Sequence, residues 1–342
     1  MSARASSAPR RQPTDRSANR STTGSRDEAG TRVPQRFGLV GQEWRNQRNG
    51  ILFISPWIIG FLVFSLGPML ASLYFSFTSY NVLKAPRWIG VQNYVNIFAH
   101  DPYLRTAVVN TLYLAVLGVS LGTLLSLVLA MLLNQRVKGI GIYRTLYYLP
   151  TMLPIVVSSF IFLLVLDPQF GVINNFLALF GIPGPGWLSS PDWSKPALIV
   201  LGLWGVGNSV VIYLAGLQDV PRHLMEAAEV DGAGWWRRLV HVTLPMLSPV
   251  IFFNVVLAII AAFQNFVSIF FLTDGTGGPA RSTVTWGLQI YTNAFVNGRM
   301  GYASAMSWIM FVIVLLVTLA LFRLGSHIVY YEGAEGSARR RR

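Results

Sequence analysis

Residues 107–133 read AVVNTLYLAVLGVSLGTLLSLVLAMLL, a run of 27 positions with no Asp, Glu, Lys, Arg or His. About 20 helical residues cross the hydrocarbon core of a bilayer, so this run is long enough to span it. Five more stretches share the property: 51–77, 145–166, 197–218, 249–273 and 303–322. In lipid a backbone must satisfy its own polar groups, which makes each stretch a helix. Buried helices of a large soluble protein would carry a polar stripe on most of them, and these do not. The fold predicted is an all-α integral membrane protein of six transmembrane helices.

Composition agrees. Of 342 residues 53% are hydrophobic and 12% charged, with a mean hydropathy of +0.48; soluble domains carry about 25% charged residues. The formal net charge of +13 raises nucleic acid as a partner until the charges are located. Connections on one side of the six spans, with both tails, hold 21 of the 27 Lys and Arg; the other side holds 6. Without the N-terminal tail the bias is 11 against 6. Basic residues mark the cytoplasmic side, so both termini are expected in the cytoplasm, the basic balance is topology plus tails, and no nucleic acid is expected.

Residues 1–40 are expected to be a disordered basic tail, because so Arg-, Ser- and Gly-rich a segment buries too little to offset its ordering entropy. Residues 41–325 form the membrane domain and 326–342 a second basic tail ending in Arg339–Arg342. In loop 167–196 the short run Val172–Phe180 among prolines reads as an interfacial helix, with Trp187 and Trp193 at headgroup depth.

Several chemistries are missing. There are no cysteines, and the three lysines, Lys84, Lys138 and Lys195, lie in no Gly-Lys-Ser/Thr context, so there is no P-loop. The four histidines, His100, His223, His241 and His327, lack metal-ligand spacing. Gly118-Val-Ser-Leu-Gly122 matches a hydrolase nucleophile pattern, but it lies mid-span and reads better as a Gly-x-x-x-Gly packing face. No ionisable group lies within a span, which argues against a proton relay; sodium coupling through unwound helices stays open. No catalytic residue, metal site or cofactor is expected on this chain.

The connection 219–248 between the fourth and fifth stretches carries the most information. Pro221 opens a helix with Leu224, Ala227, Ala228 and Val230 as its apolar face. Gly232 permits a left-handed turn, and Trp235, Trp236 and Leu239 begin a second amphipathic helix. Spacing alone leaves two readings: an element docking into a groove on another protein, or a connector lying on the membrane.

Here the sequence resembles a known family. Glu226-Ala227-Ala228, then Gly232, Val242 and Leu244-Pro245 reproduce the "EAA" signature of permease subunits of type I ABC importers, with Val242 for the usual Ile. Ile89-Gly90-Val91-Gln92-Asn93-Tyr94, Asn110-Thr111, Arg144–Pro150, Gly171–Asn174, Trp187-Leu188 and Leu272–Pro279 resemble the carbohydrate branch, of the maltose and glycerol-phosphate type. Thr276 interrupts a glycine pair at the last of these. The resemblance covers roughly residues 50–325. It implies the type I permease fold and a coupling helix seated on an ATPase dimer through Glu226, Ala227, Ala228, Asp231, Gly232, Leu244 and Pro245. It also implies ATP and Mg on that ATPase, a second homologous permease subunit, an extracytoplasmic solute-binding protein and a bacterial cell membrane.

Polar groups cluster inside the fourth and fifth spans beside aromatic rings. Gly205, Asn208, Tyr213, Phe263, Gln264 and Asn265 suit a neutral, hydroxyl-rich solute, although amides in spans also join helices to one another. Which of two paired subunits touches solute stays open. The function expected is half of the translocation pathway of an ATP-driven sugar or polyol importer; the alternative is a self-contained carrier or channel for a neutral solute.

Overall fold

The computed structural model describes residues 36–135 and 137–328. The expected tails lie outside them, except that residues 36–40 and 326–328 are helical. The chain divides after Leu62 into two units. The first contributes helix α1 (Arg36–Phe61), in which no side chain from Trp44 onward is buried; Phe53 is 89% exposed.

The second unit begins with α2 (Gly67–Ser76) and a two-stranded antiparallel hairpin, β1 (Thr78–Ser79) and β2 (Arg87–Trp88). Then come α3 (Gln92–His100), α4 (Leu104–Leu133), α5 (Ile140–Tyr148), α6 (Ile155–Val165) and α7 (Val172–Ala178). They are followed by α8 (Pro191–Trp204), α9 (Gly207–Asp219), α10 (Arg222–Val230), α11 (Trp235–Arg238) and α12 (Leu244–Gln264). The chain closes through α13 (Val267–Leu272), α14 (Trp286–Tyr291) and α15 (Met300–Ile328).

Four helices are long and apolar enough to cross a membrane: Trp44–Ser76, Leu104–Leu133, Trp235–Gln264 and Met300–Gly325. The other two expected spans are bent pairs, and counting each pair once gives six crossings. The stretch 145–166 is not one straight helix. It turns through 101° between Ile140–Met152 and α6, because Pro154 drives Leu153 into the extended region (φ −79°, ψ 134°). The stretch 197–218 bends by 49° at Gly205–Val206, between α8 and α9.

In hydrocarbon, helices associate through close packing and hydrogen bonds rather than by exclusion of water, which favours small residues at their contacts. Helix α4 shows this. Ala107, Thr111 and Ala115, then Ser126 and Ala130, are buried along one stripe, each set at four-residue spacing and the two sets eleven residues apart. Of the expected glycine pair, only Gly122 is approached, by Val206 Cγ1 of the fourth span; Gly118 faces open space. The α4 stripe packs against α9 and α12 around Tyr213, Val210, Leu217 and Leu247. A second cluster joins α6, α8, α13 and α14 around Phe162, Leu166, Leu201 and Ile269.

The connection between the third and fourth spans carries local order. Asp167 accepts N–H bonds from Phe170 and Gln169, each 2.8 Å, which hold its carboxyl below the usual range. Helix α7 follows with Val172 and Phe176 exposed. Trp187 donates from Nε1 to Asn174 Oδ1 at 2.7 Å and meets Trp193 edge-on at 5.1 Å.

Candidate functional site

Helix α10 starts after Pro221 and ends in a turn that closes on itself. The Ala233 N–H donates to the Ala228 carbonyl (2.9 Å) and the Gly232 N–H to the Glu229 carbonyl (3.0 Å), with Gly232 at φ +76°. This is a Schellman cap, which needs a left-handed residue that only glycine supplies without strain. A Cβ built on Gly232 would meet nothing within 4 Å, so backbone conformation, not crowding, asks for glycine there.

The exposed face differs from the sequence expectation. Leu224, Met225 and Ala228 are half-buried, while Glu226, Ala227, Asp231 and Gly232 are exposed and Val230 is 88% exposed. Val230 therefore belongs to the outward tip. Glu229 also faces solvent and pairs with Arg238 at 2.9 Å across the turn. Beneath the tip, Thr243 Oγ1 contacts Met225 Sδ at 3.8 Å, and a cavity of about 460 Å³ lies between Arg222, Met225, Thr243 and the Asn134 end of α4.

The second helix of the loop does not stop. Helices α11 and α12 are joined through a π turn, Leu239–Thr243, into the continuous span Trp235–Gln264. Pro245 lacks an N–H, and its ring clashes with the carbonyl four residues earlier in a regular helix. Widening the preceding turn relieves that clash. Leu244 and Pro245 thus sit where the loop becomes the fifth span.

The six pathway candidates separate into two groups. Tyr213 is 1% and Phe263 7% exposed, both within the packing between helices. Gly205, Asn208, Gln264 and Asn265 are exposed, and they stand at breaks in the helices. Asn208 lies in the first turn of α9, just past the Gly205–Val206 bend. Gln264 ends α12, and Asn265 leaves the helix (φ −71°, ψ 113°), its Oδ1 accepting from Ser268 Oγ at 2.9 Å. A Cβ on Gly207 would lie 2.7 Å from both Thr151 Cγ2 and the Tyr147 carbonyl, so the bend of the fourth span rests directly on the break of the third. Interrupted helices at membrane depth are tolerated where their backbone is buried in protein or lines a water-filled path.

Residues 118–329 match the model of the family described as the inner membrane component of binding-protein-dependent transport systems. The chain belongs to this family. The permease is 42% identical over 84% of its length to the probable ABC transporter permease protein YesP of Bacillus subtilis (strain 168), covering 93% of that protein. It is 36% identical over 80% of its length to the lactose transport system permease protein LacF of Rhizobium radiobacter, covering 92% of it. A chain in the crystal structure of a bacterial alginate ABC transporter, in complex with an alginate pentasaccharide-bound periplasmic protein, superposes with a TM-score of 0.74. It shares 26% identity, over 83% of this chain and 97% of that one. The permease is therefore a multi-pass membrane transport subunit of the ABC importer type, as the EAA resemblance implied.

Three features of the site escaped the sequence reading. The only sequence signal for the break at Pro154 is two prolines four residues apart, in a stretch whose lack of charge reads as one span. The Glu229–Arg238 pair has no helical spacing to reveal it. Asn110 proves to pin the loop before α14: its Nδ2 donates to the carbonyls of Val284 (2.9 Å) and Arg281 (3.2 Å), 174 and 171 residues away.

Proposed function

We propose that the chain forms one half of the translocation path of an ATP-driven importer for a sugar or related polyol in a bacterial inner membrane. The observation that carries this reading is the capped helix α10, whose outward residues Glu226, Ala227, Val230 and Gly232 have little of this chain over them. A small, rigid, partly apolar tip of this kind suits a cleft on another protein. Its occupant in this reading is the ATPase subunit, which carries the ATP and Mg. The basic residues of the connections and tails put α10 and both termini on the cytoplasmic side. In the same reading residues 41–325 are the membrane domain, flanked by basic tails.

A second homologous permease subunit completes the path and a solute-binding protein delivers solute from outside. The exposed amides Asn208, Gln264 and Asn265 line that path, because an amide facing lipid at this depth leaves its hydrogen bonds unmet. Their uncharged chemistry suits a hydroxyl-rich solute, and the lactose permease relative supports the same substrate class.

Gentle solubilisation from the native membrane, followed by identification of what co-purifies, tests the assembly. A P-loop ATPase with a second six-span subunit is expected. A lone chain that transports in liposomes without ATP would overturn the reading.

A further inference from the structure

At the end of α4 remote from α10, the segment leading into that helix lines a cavity of about 740 Å³ together with the hairpin, α3 and the start of α15. Tyr103 is in its wall, whereas the opposite end of α4, at Asn134, lines the cavity under α10. A 30-residue helix separates the two, about 45 Å at the rise of an α-helix. The volume is that of a small-molecule site.

The lining is polar and mostly uncharged. Its acid is already engaged: Asp101 Oδ1 accepts from the Tyr103 N–H at 2.8 Å and Oδ2 from the Tyr302 hydroxyl at 2.7 Å. Other groups stand open. The hydroxyls of Ser79 and Thr292 and the Nδ2 of Asn96 have no hydrogen-bond partner among the described residues, while Asn96 Oδ1 receives Gln92 Nε2 at 3.0 Å. His100 and Arg299, the basic residues of the lining, are exposed.

The backbone supplies a second observation. Among the described residues three π turns occur: Leu62–Leu66, Leu239–Thr243 and Thr292–Val296. The first two end two residues before Pro68 and Pro245, which account for them. No proline follows the third within twenty residues. It widens the wall at the place where Thr292 and Asn293 line the cavity, and π turns are frequent at functional sites. Asn293 is held there by its Nδ2 on the Gln289 carbonyl (3.0 Å), and its own carbonyl receives the Arg299 N–H (2.7 Å).

We propose that this cavity is a saccharide-binding vestibule, which takes a neutral mono- or disaccharide before it reaches the broken spans. The proposal rests on the importer reading for the solute class and adds a second site at the far end of α4.

Because the chain has no cysteine, single-cysteine variants need no background changes. Asn297→Cys places a thiol in the cavity wall, Leu83→Cys places one on the same hairpin outside it, and Asn208→Cys places one at the fourth-span bend. Each full-length variant in nanodiscs is labelled with a methanethiosulfonate reagent, with and without maltose or lactose. Several-fold slower labelling at position 297 with unchanged labelling at 83, abolished by adding Thr292→Val, is the result expected. Protection at 208 but not at 297 overturns the vestibule and leaves the importer reading standing. Protection at neither position, with no ATP-driven uptake of either sugar by the assembled complex, overturns both. Protection at 297 that requires a solute-binding protein and ignores sugar assigns the cavity to that protein and overturns the saccharide site.

Discussion

Glu229 and Arg238 meet across the Gly232 turn, with Oε2 of the carboxylate 2.9 Å from Nη1 of the guanidinium. The pair ties the last turn of α10 to the first turn of the helix that becomes the fifth span. Its side chains are 69% and 25% exposed, and exposed pairs contribute about 0.2–1 kcal/mol. A contribution that small makes aiming α10, rather than holding the fold, the role expected of it.

Removing either partner should separate those two effects. Glu229→Ala or Arg238→Ala is expected to leave the thermal midpoint of the purified chain nearly unchanged while lowering solute-stimulated ATP hydrolysis by the complex. The charge exchange, Glu229→Arg with Arg238→Glu, should recover most of that loss. Unimpaired coupling in the single variants would remove the pair from the mechanism.

Gly232 tests the cap. A left-handed conformation costs a side-chain-bearing residue about 1–2 kcal/mol, and no neighbour blocks a Cβ there. Gly232→Ala should reduce uptake partially and Gly232→Glu should abolish it, with the chain still inserted in the membrane. ATP-dependent uptake into vesicles measures both.

Pro245 makes a sharper prediction. With Pro245→Ala the clash that opens the π turn is gone, and the turn can close to regular helix. That shifts α11 by one residue relative to the fifth span, a rotation of about 100° at 3.6 residues per turn. Stability should be unchanged or higher while coupling falls; a variant with full coupling would show that the π turn is incidental.

Asn110 is 3% exposed and spends its amide on two carbonyls of the loop before α14. Asn110→Leu takes away the Val284 carbonyl's bond, at about 1–3 kcal/mol for a buried acceptor, and leaves the Arg281 carbonyl with the Val284 N–H alone (3.3 Å). Limited proteolysis should then cut near Arg281 much faster than in the parent chain. Equal cutting rates would place the loop's support elsewhere.

The two groups of pathway candidates should respond oppositely. Asn208→Leu or Gln264→Leu is expected to lower uptake without loss of stability, since neither amide is buried. Tyr213→Ala, which empties a packed site, should cost about 3–5 kcal/mol, by analogy with buried aromatic truncations, and be seen first as lower expression. Unaffected uptake in both amide variants would put them on the lipid face.

Much of this architecture was legible because charge is so costly in hydrocarbon. Runs without Asp, Glu, Lys, Arg or His overlap each candidate span, but the fifth run, 249–273, starts 14 residues inside the helix Trp235–Gln264 and continues 9 residues past its end, across the break at Asn265. The loop motif was equally legible: Pro221 and Gly232 are residues whose backbone limits dictate a helix start and a left-handed turn. Absence of charge says nothing about straightness, and so the 101° turn at Pro154 was read as a single span. Nor did composition distinguish Tyr213 from Asn208, both polar and near the middle of one stretch, although one is packed against α4 and the other is exposed.

From sequence alone, then, come the membrane class, the six apolar stretches, the helix–turn–helix of 219–248 and its family. These follow from properties each residue carries wherever it is placed: transfer cost, a missing N–H, a missing Cβ. Tertiary structure alone decided that Val230 points outward, that the breaks of the third and fourth spans rest on each other at Gly207, and that Asn110 reaches Val284 across 174 residues. Those depend on which faces meet once helices pack, and in lipid close contact between small groups settles that choice, a quantity no single stretch of sequence contains.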